Sequence, residues 1–159
     1  VPRPGEAPPR FLADAHLGAL ARQLRLLGFD TLLANDHADH ELALLARDED
    51  RIVLSRDREL LKHRLVHRGR WLRSQRPDAQ LAEVAAHYAL RAQLRPFSRC
   101  LECNGLLVPV AKEAVLPRLP PAVAAGHREF VHCAGCGRVY WPGTHWQRLT
   151  RRVEAFRDG

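Results

Sequence analysis

Two pairs of cysteines place the strongest constraint on how this chain can fold. Cys100 and Cys103 form one C-x-x-C pair, Cys133 and Cys136 form a second, and the 159 residues contain no other cysteine. Thiolates with this spacing can bind one tetrahedral metal ion, and two such pairs complete a closed shell of four sulfurs. A closed shell leaves no position for a substrate, so we predict a structural zinc site.

Disulfides and a redox C-x-x-C site are the alternatives for these cysteines. Disulfides belong to oxidising compartments, and no positively flanked apolar leader supports secretion, so we expect a cytoplasmic protein. A redox site opens a helix after a strand and needs only one pair. The 29 residues between the pairs exceed the familiar spacing of about 15–20, so a β-hairpin or loop is expected to fill the gap.

Upstream of the cysteines, short apolar segments alternate with segments of helical periodicity. The apolar fraction is 46% and the charged fraction 27%, as in ordinary globular domains. The alternation predicts an α/β fold with a parallel sheet covered by helices on both faces. No apolar run approaches the roughly 20 residues of a membrane-spanning helix. The strand candidates are residues 11–13, 29–34 and 51–55, with a weaker one near 70–73, and helices are expected near 17–27, 39–46 and 77–91.

The composition changes along the chain and suggests its domains. Residues 1–10 include four prolines and predict a linker-like start. Because the chain begins with Val and contains no Met, we expect it to be a piece of a longer product. From about Pro96 onward, prolines and cysteines predict a second, smaller unit. The predicted division is an α/β domain over 11–95, a zinc-binding unit over 96–149 and a polar, helix-compatible tail over 150–159.

Three aspartates are the candidates for chemistry. Asp14 and Asp57 each follow a predicted strand, and Asp39 opens a predicted helix. The carboxyl ends of parallel strands share an edge where ligands bind, so the three side chains are expected to meet there. Clustered carboxylates repel one another unless a cation lies among them, and Mg²⁺ or Mn²⁺ prefer such oxygen ligands. Asp36 and Glu41 are auxiliary candidates. The alternative is that each aspartate only caps the helix that follows it.

The charge of the chain favours a polyanionic partner. The net charge is +7 and the pI about 10.0, and residues 51–76 carry nine basic and two acidic groups. A concentrated basic stretch suits a phosphate backbone, although a solvated helix face with no ligand is the alternative. Trp141 and Trp146 could stack on bases or cover the zinc unit. His16 and His145 are weaker candidates for a functional role.

Four segments of the chain resemble the Mut-seven C-terminal RNase domain family. They are FLADAHLGALARQLRLLGFD at 11–30, RIVLSRDR at 51–58, RCLECN at 99–104 and CAGCGRVYWPGTHW at 133–146. The resemblance runs from about Phe11 to Leu149. It implies a PIN-like nuclease fold, which is a parallel-sheet α/β/α sandwich, followed by a zinc ribbon. It also implies a metal-dependent ribonuclease that hydrolyses RNA with water activated by Mg²⁺ or Mn²⁺. Many relatives carry an upstream ubiquitin-like domain, which is therefore an expected neighbour.

The resemblance also assigns roles to individual residues. The three aspartates match the acidic positions of the family, and Ser55 replaces the usual Thr of its T-R-D motif. Four arginines are expected to bind RNA, two on the family's basic pair and two flanking the third aspartate. The implied catalytic and metal-binding residues are Asp14, Asp39 and Asp57, and the residues expected to bind RNA are Arg22 and Arg25 from the resemblance, together with Arg56 and Arg58 beside Asp57.

Two other functions stay open at this stage. One is a non-catalytic RNA-binding module in which the aspartates are helix caps and divalent metal is not needed. The other is a protein-interaction unit in which the zinc ribbon contacts another polypeptide. RNA binding that is sensitive to salt but not to divalent metal is expected of the first, and no RNA affinity of the second.

Overall fold

A four-stranded parallel sheet forms the centre of the N-terminal half. The computed structural model describes residues 7–34 and 38–159. The strands are β1 (Phe11–Ala13), β2 (Thr31–Leu33), β3 (Ile52–Ser55) and β4 (Gly69–Trp71), in the order β2-β1-β3-β4. Their parallel pairing confirms the α/β architecture predicted from the alternating pattern.

Helices cover both faces of this sheet because successive strand residues point in opposite directions. Phe11 and Ala13 belong to one buried cluster, whereas Leu12 belongs to the other. The first cluster packs against α1 and α4, and the second against α2 and α3. The helices are α1 (Gly18–Leu26, after a 3₁₀ turn at Ala15–Leu17), α2 (Asp39–Asp48), α3 (Arg58–Leu61) and α4 (Pro77–Tyr88, before a 3₁₀ turn at Leu90–Gln93).

The C-terminal half contains a smaller antiparallel sheet. Its strands are β5 (Leu107–Val110), β6 (Phe130–Cys133) and β7 (Val139–Tyr140), in that order. The expected hairpin or loop between the cysteine pairs is more elaborate than predicted. β5 and β6 do pair, but helical turns connect them because the chain between them folds into α5 (Lys112–Val115), a 3₁₀ turn (Leu116–Arg118) and α6 (Pro121–Gly126).

A long helix, α7 (Thr144–Asp158), ends the chain. Residues 150–159, which the sequence suggested as a polar tail, are mostly the second half of this helix. They pack because Val153 is buried in the first core cluster and Phe156 lies against it. Arg91 Nε donates a 2.9 Å hydrogen bond to the Phe156 carbonyl, and its guanidinium lies 4.3 Å from the ring centre. No helix in residues 7–34 and 38–159 has both the length and the apolarity to cross a membrane.

Candidate functional site

The two C-x-x-C pairs meet in space, as the sequence predicted. The four Sγ atoms all lie within 4.8 Å of one another. Cys100 and Cys136 Sγ are 3.8 Å apart, and Cys103 and Cys133 Sγ are 3.3 Å apart. A tetrahedral zinc ion with bonds of about 2.3 Å separates its sulfurs by about 3.8 Å. All four thiols are free of disulfides, so this group could bind zinc.

Hydrogen-bond donors lower the pKa of Cys133 and Cys136 and so favour the thiolate form that a metal requires, whereas loss of solvation raises the pKa of Cys103. Bonds from the backbone N–H and then the side chain of Arg138 lower the pKa of Cys136 to about 6. The backbone N–H of Gly105 lies 3.4 Å from Cys103 Sγ. Gly105 also permits the two pairs to approach, because a Cβ at this position would lie 2.6 Å from Cys133 Sγ. The donor set and its packing therefore fit a structural zinc ion.

Asn104 joins the first cysteine pair to the parallel sheet. Its Oδ1 accepts a 2.9 Å hydrogen bond from the Thr31 N–H, and its Nδ2 donates at 2.7 Å to Asp30 Oδ1. Arg51 forms a 2.8 Å ion pair with the same carboxylate oxygen. Burial raises the pKa of Asp30, but the hydrogen bonds from Arg51 and Asn104 outweigh it and leave the pKa below its ordinary value. This network ties the cysteine site to the edge strand β2.

Arg25, expected to bind RNA, is buried in the same region. Its Nε donates to the Thr31 carbonyl at 2.9 Å, and its Nη1 donates to the Leu101 carbonyl at 2.9 Å. Only 6% of the residue is exposed, and these two donors face main-chain oxygens rather than solvent. The structure thus gives Arg25 a role in holding the first cysteine pair against α1, and most of its guanidinium is shielded from an RNA phosphate.

The other three arginines lie nearer the surface. Arg22 is exposed and pairs with Glu102, and the hydrogen bond from Arg22 lowers the pKa of that carboxyl. Arg56 is half-buried and donates to the Leu72 carbonyl at 2.9 Å. Arg58 is exposed, and its guanidinium lies 4.0 Å from the centre of the Trp71 ring. Arg22 and Arg58 therefore keep their charge at the surface, whereas Arg56 uses part of its guanidinium to bind a main-chain carbonyl.

The three predicted aspartates line one cavity at the carboxyl edge of the parallel sheet. β1 lies between β2 and β3, so the chain connections diverge on either side of it, which is where such sheets bind ligands. Asp14 follows β1 and Asp57 lies two residues after β3. With Asp39 and the exposed His16, they line a cavity of about 400 Å³. Glu41 is exposed in the first turn of α2, and Asp36 lies outside the described residues.

The aspartates share this cavity without forming a compact set of ligands. Among residues 7–34 and 38–159, the four cysteines are the one group of three or more potential ligand side chains close enough to hold an ion. Carboxylates of like charge repel one another when no cation lies between them. Coordination by the three aspartates would therefore require their side chains to turn toward a common point.

Helix capping explains only one of the three aspartates. Asp57 caps α3, because its Oδ1 accepts a 2.9 Å hydrogen bond from the Glu59 N–H. Asp14 precedes a 3₁₀ turn but makes no capping hydrogen bond with its side chain. Asp39 lies inside α2, where Ala38 holds the N-cap position. Two of the three aspartates that line the cavity thus have no capping role for their side chains.

Ser55 links the Asp14 carboxylate to the backbone N–H of Asp57, and the sequence identified it only as the residue that replaces the usual Thr of the family. Its Oγ donates to Asp14 Oδ2 at 2.9 Å and accepts the Asp57 N–H at 2.8 Å. The residue is fully buried at the end of β3. A hydroxyl that closes an otherwise apolar strand was the available signal, because a buried hydroxyl needs hydrogen-bond partners.

The profile of the family described as Mut7-C RNAse domain matches residues 9–153. The chain belongs to this family. The match covers most of the sequence and includes both the cavity and the cysteine site. It confirms the resemblance drawn from the four sequence segments.

This Mut7-C RNAse domain is also similar to a curated human protein. The Exonuclease mut-7 homolog of Homo sapiens is 37% identical over 101 residues, which is 60% of this chain and 12% of the human protein. The chain thus matches a small part of that relative. No solved structure matches the chain closely enough to support a comparison. The family and the exonuclease relative together support a nuclease-type function.

Proposed function

We propose that this Mut7-C RNAse domain is a metal-dependent ribonuclease whose active site is the cavity lined by Asp14, Asp39 and Asp57. The observation that carries the proposal is the placement of Asp14 and Asp39. Both line the cavity at the switch point of the sheet, and neither caps a helix. The nuclease family supports the same conclusion. We also propose that the parallel sheet and its helices belong to the PIN-like nuclease class.

The oxygen donors in the cavity fit a hard divalent cation. Within the described residues, Asp14 Oδ1 and Asp57 Oδ2 take part in no hydrogen bond, although the other oxygen of each carboxylate does. These oxygens and the Asp39 carboxylate would hold Mg²⁺ or Mn²⁺. When bound there, such an ion supplies a water of lowered pKa as the nucleophile toward an RNA phosphodiester.

The neighbouring residues orient these carboxylates and the substrate. Ser55 holds one oxygen of Asp14 and the backbone N–H of Asp57, so it keeps these two residues next to each other at the edge of the sheet. Arg58 is exposed one residue after Asp57 and would position a phosphate by charge. Arg56 would contribute the N–H donors that are not used in its bond to the Leu72 carbonyl. Arg22 would extend the contact with the RNA backbone.

A non-catalytic RNA-binding module is the second candidate. Two observations favour it: Asp57 does cap α3, and the carboxylates in the described part of the chain form no compact ligand group. In that case the basic residues would bind RNA and the cavity would have no catalytic role. The two candidates differ in whether RNA is cleaved and in whether divalent metal is required.

Cleavage of a fluorescein-labelled single-stranded RNA in Mn²⁺ separates the two. The variants Asp14→Asn and Asp57→Asn remove charge but keep side-chain shape, and Asn preserves the cap at position 57. We expect each to lower the cleavage rate by at least about 100-fold, because a lost metal ligand removes several kcal/mol of transition-state stabilisation. RNA binding should persist in both variants.

Asp48→Asn is the matched control, because Asp48 is exposed at the end of the same helix that Asp39 opens. It should cleave at the wild-type rate. Equal cleavage by wild type, Asp14→Asn and Asp57→Asn, with or without Mn²⁺, would refute the aspartate mechanism. RNA binding with no cleavage by any form would favour the non-catalytic module.

A further inference from the structure

A groove on the antiparallel sheet is lined by aromatic and proline side chains. We call this cavity of about 530 Å³ the ribbon groove; it lies between the ends of β5, β6 and β7 and the start of α7. Bases, peptides rich in proline and apolar ligands all pack well on such surfaces, so the charges at its edge must decide among them. The aromatic and proline lining consists of Pro109, Phe130, Tyr140, Trp141, Pro142 and Trp146.

The aromatic side chains that line the ribbon groove are held in place by contacts with neighbouring residues. The Trp146 ring stacks on Phe97 with centroids 4.2 Å apart and an interplanar angle of 19°. The Tyr140 hydroxyl lies 3.0 Å from Cys100 Sγ, which fixes this ring to the cysteine site. The ring centroid of Trp141 lies 6.3 Å from that of the buried Phe130, and Trp141 is itself only half-buried. Rigid, partly exposed rings of this kind present flat apolar surface at little loss of conformational entropy.

The edge of the ribbon groove is more positive than negative. Lys112 and Arg128 line it, against a single acidic residue, Glu129. Lys112 Nζ donates to the Ala124 carbonyl, whereas Arg128 is exposed and makes no hydrogen bond to any other described residue. α7 also begins beside Trp141, and no side chain of the described chain caps its first turn. The positive end of this 15-residue helix adds to the attraction for an anion.

We propose that the ribbon groove binds a single-stranded RNA segment, with bases stacked on Trp141 and Trp146 and a phosphate next to Arg128. The inference rests on the proposed function, which supplies RNA as the ligand. Stacking needs unpaired bases, so the substrate class is single-stranded rather than duplex RNA. The cysteine site would then serve binding indirectly, because it holds Tyr140 in the wall of the groove.

The binding of a fluorescein-labelled decauridine, followed by fluorescence anisotropy, tests this proposal. All proteins carry Asp57→Asn and the buffer contains no Mg²⁺ or Mn²⁺, so cleavage does not interfere. We expect Trp141→Leu to weaken binding about ten-fold, which is the effect of losing one stacked base. We expect Arg128→Ala to weaken binding and to reduce the slope of log K against log salt by about 0.7, the value for one phosphate on a single strand.

Two matched controls accompany these variants. Arg157→Ala removes the same charge from the far end of α7, and Leu116→Ala removes an exposed apolar side chain outside the groove. Both should bind like the parent. Zinc content and thermal midpoint establish that each variant is folded. If Trp141→Leu does not fold, two measurements still test the site. Decauridine should quench the tryptophan emission of the parent protein, and decauridine binding by Arg128→Ala should depend less steeply on salt.

Unchanged decauridine affinity in folded Trp141→Leu and Arg128→Ala would overturn the inference. Displacement of the RNA by oligoproline, with no effect of Arg128→Ala, would overturn it in favour of a peptide groove. The proposed function is tested by a different measurement, the cleavage assay. Absence of cleavage in the wild type would refute the proposed function and leave the binding results unaffected. Weakened binding in both groove variants supports the inference whether or not the RNA is cleaved.

Discussion

Replacement of Asn104 should weaken the attachment of the cysteine site to the parallel sheet. This buried residue makes one hydrogen bond to the Thr31 N–H and one to the Asp30 carboxylate. Its backbone has a φ of 72°, in the left-handed region that Asn tolerates and most residues do not. Asn104→Gly removes both hydrogen bonds without adding backbone strain, so its effect reports on the hydrogen bonds.

The expected loss follows from these two contacts. A buried backbone N–H left unpaired costs about 1–3 kcal/mol, and a hydrogen bond to a charged group contributes about 1.5–3 kcal/mol. Allowing for partial relaxation, Asn104→Gly should lower the free energy of unfolding by about 3–5 kcal/mol. Asn104→Ala should be about 1 kcal/mol worse than Gly, because a Cβ is unfavourable at this φ.

Urea unfolding of the zinc-loaded protein at pH 7, followed by circular dichroism, measures both differences. A loss below about 1 kcal/mol for Asn104→Gly would refute the reasoning, because the pair of hydrogen bonds would then contribute no more than a single surface contact. Equal losses for Ala and Gly would refute the part that concerns the left-handed backbone.

Asn104→Asp gives the same prediction a pH dependence. The new carboxylate keeps an acceptor for Thr31 but faces Asp30 where Nδ2 donated at 2.7 Å. Two carboxylates this close raise one another's pKa in the folded state, so the variant is least stable above that raised pKa and recovers as the pH falls. In the wild type, the lowered pKa of Asp30 works the opposite way. Its contribution is present above the unfolded value of about 3.9 and is lost as the pH falls through the lower folded pKa. The difference in the free energy of unfolding between wild type and Asn104→Asp should therefore become smaller from pH 7 toward pH 4.

Two further predictions concern the carboxylates and the cysteines. Ser55→Ala should lower the free energy of unfolding by about 1–3 kcal/mol and slow RNA cleavage, whereas Ser55→Thr, which keeps the hydroxyl, should restore both in urea unfolding and cleavage assays. An alanine variant as stable and active as wild type would remove Ser55 from the site. Removal of zinc by a chelator, or the variant Cys103→Ser, should lower the thermal midpoint and disrupt the antiparallel sheet in far-ultraviolet circular dichroism. An unchanged spectrum and midpoint after complete zinc release would contradict a structural role for the metal.

The features that were predictable from the sequence are those set by local pattern. An apolar segment followed by an aspartate occurs twice, and parallel pairing then brings Asp14 and Asp57 to the same edge. The C-x-x-C spacing fixes which atoms can meet at the cysteine site. In both cases residue type and short-range spacing carry the information, because strands, knuckles and their ends are local structures.

The features that were not predictable depend on partners far apart in the chain. In the sequence, Arg25 looks like an exposed, phosphate-binding arginine. Its burial is explained only by its hydrogen bonds to the carbonyls of Leu101 and Glu102, which lie 76 and 77 positions later in the chain. Asn104 follows a cysteine pair, but nothing local identifies Asp30 as its partner. Val153 belongs to a polar segment, yet the helix it lies on packs it into the core. Tertiary contacts decide these positions.

Diffraction from crystals soaked in Mn²⁺ tests the central claim most directly. Zinc bound by Cys100, Cys103, Cys133 and Cys136 would provide an internal reference for anomalous scattering in the same crystal. The account predicts a manganese peak in the cavity within about 2.0–2.6 Å of oxygens from Asp14, Asp39 and Asp57. A cavity without a manganese peak at saturating Mn²⁺, with the three carboxylates directed away from one another, would contradict it.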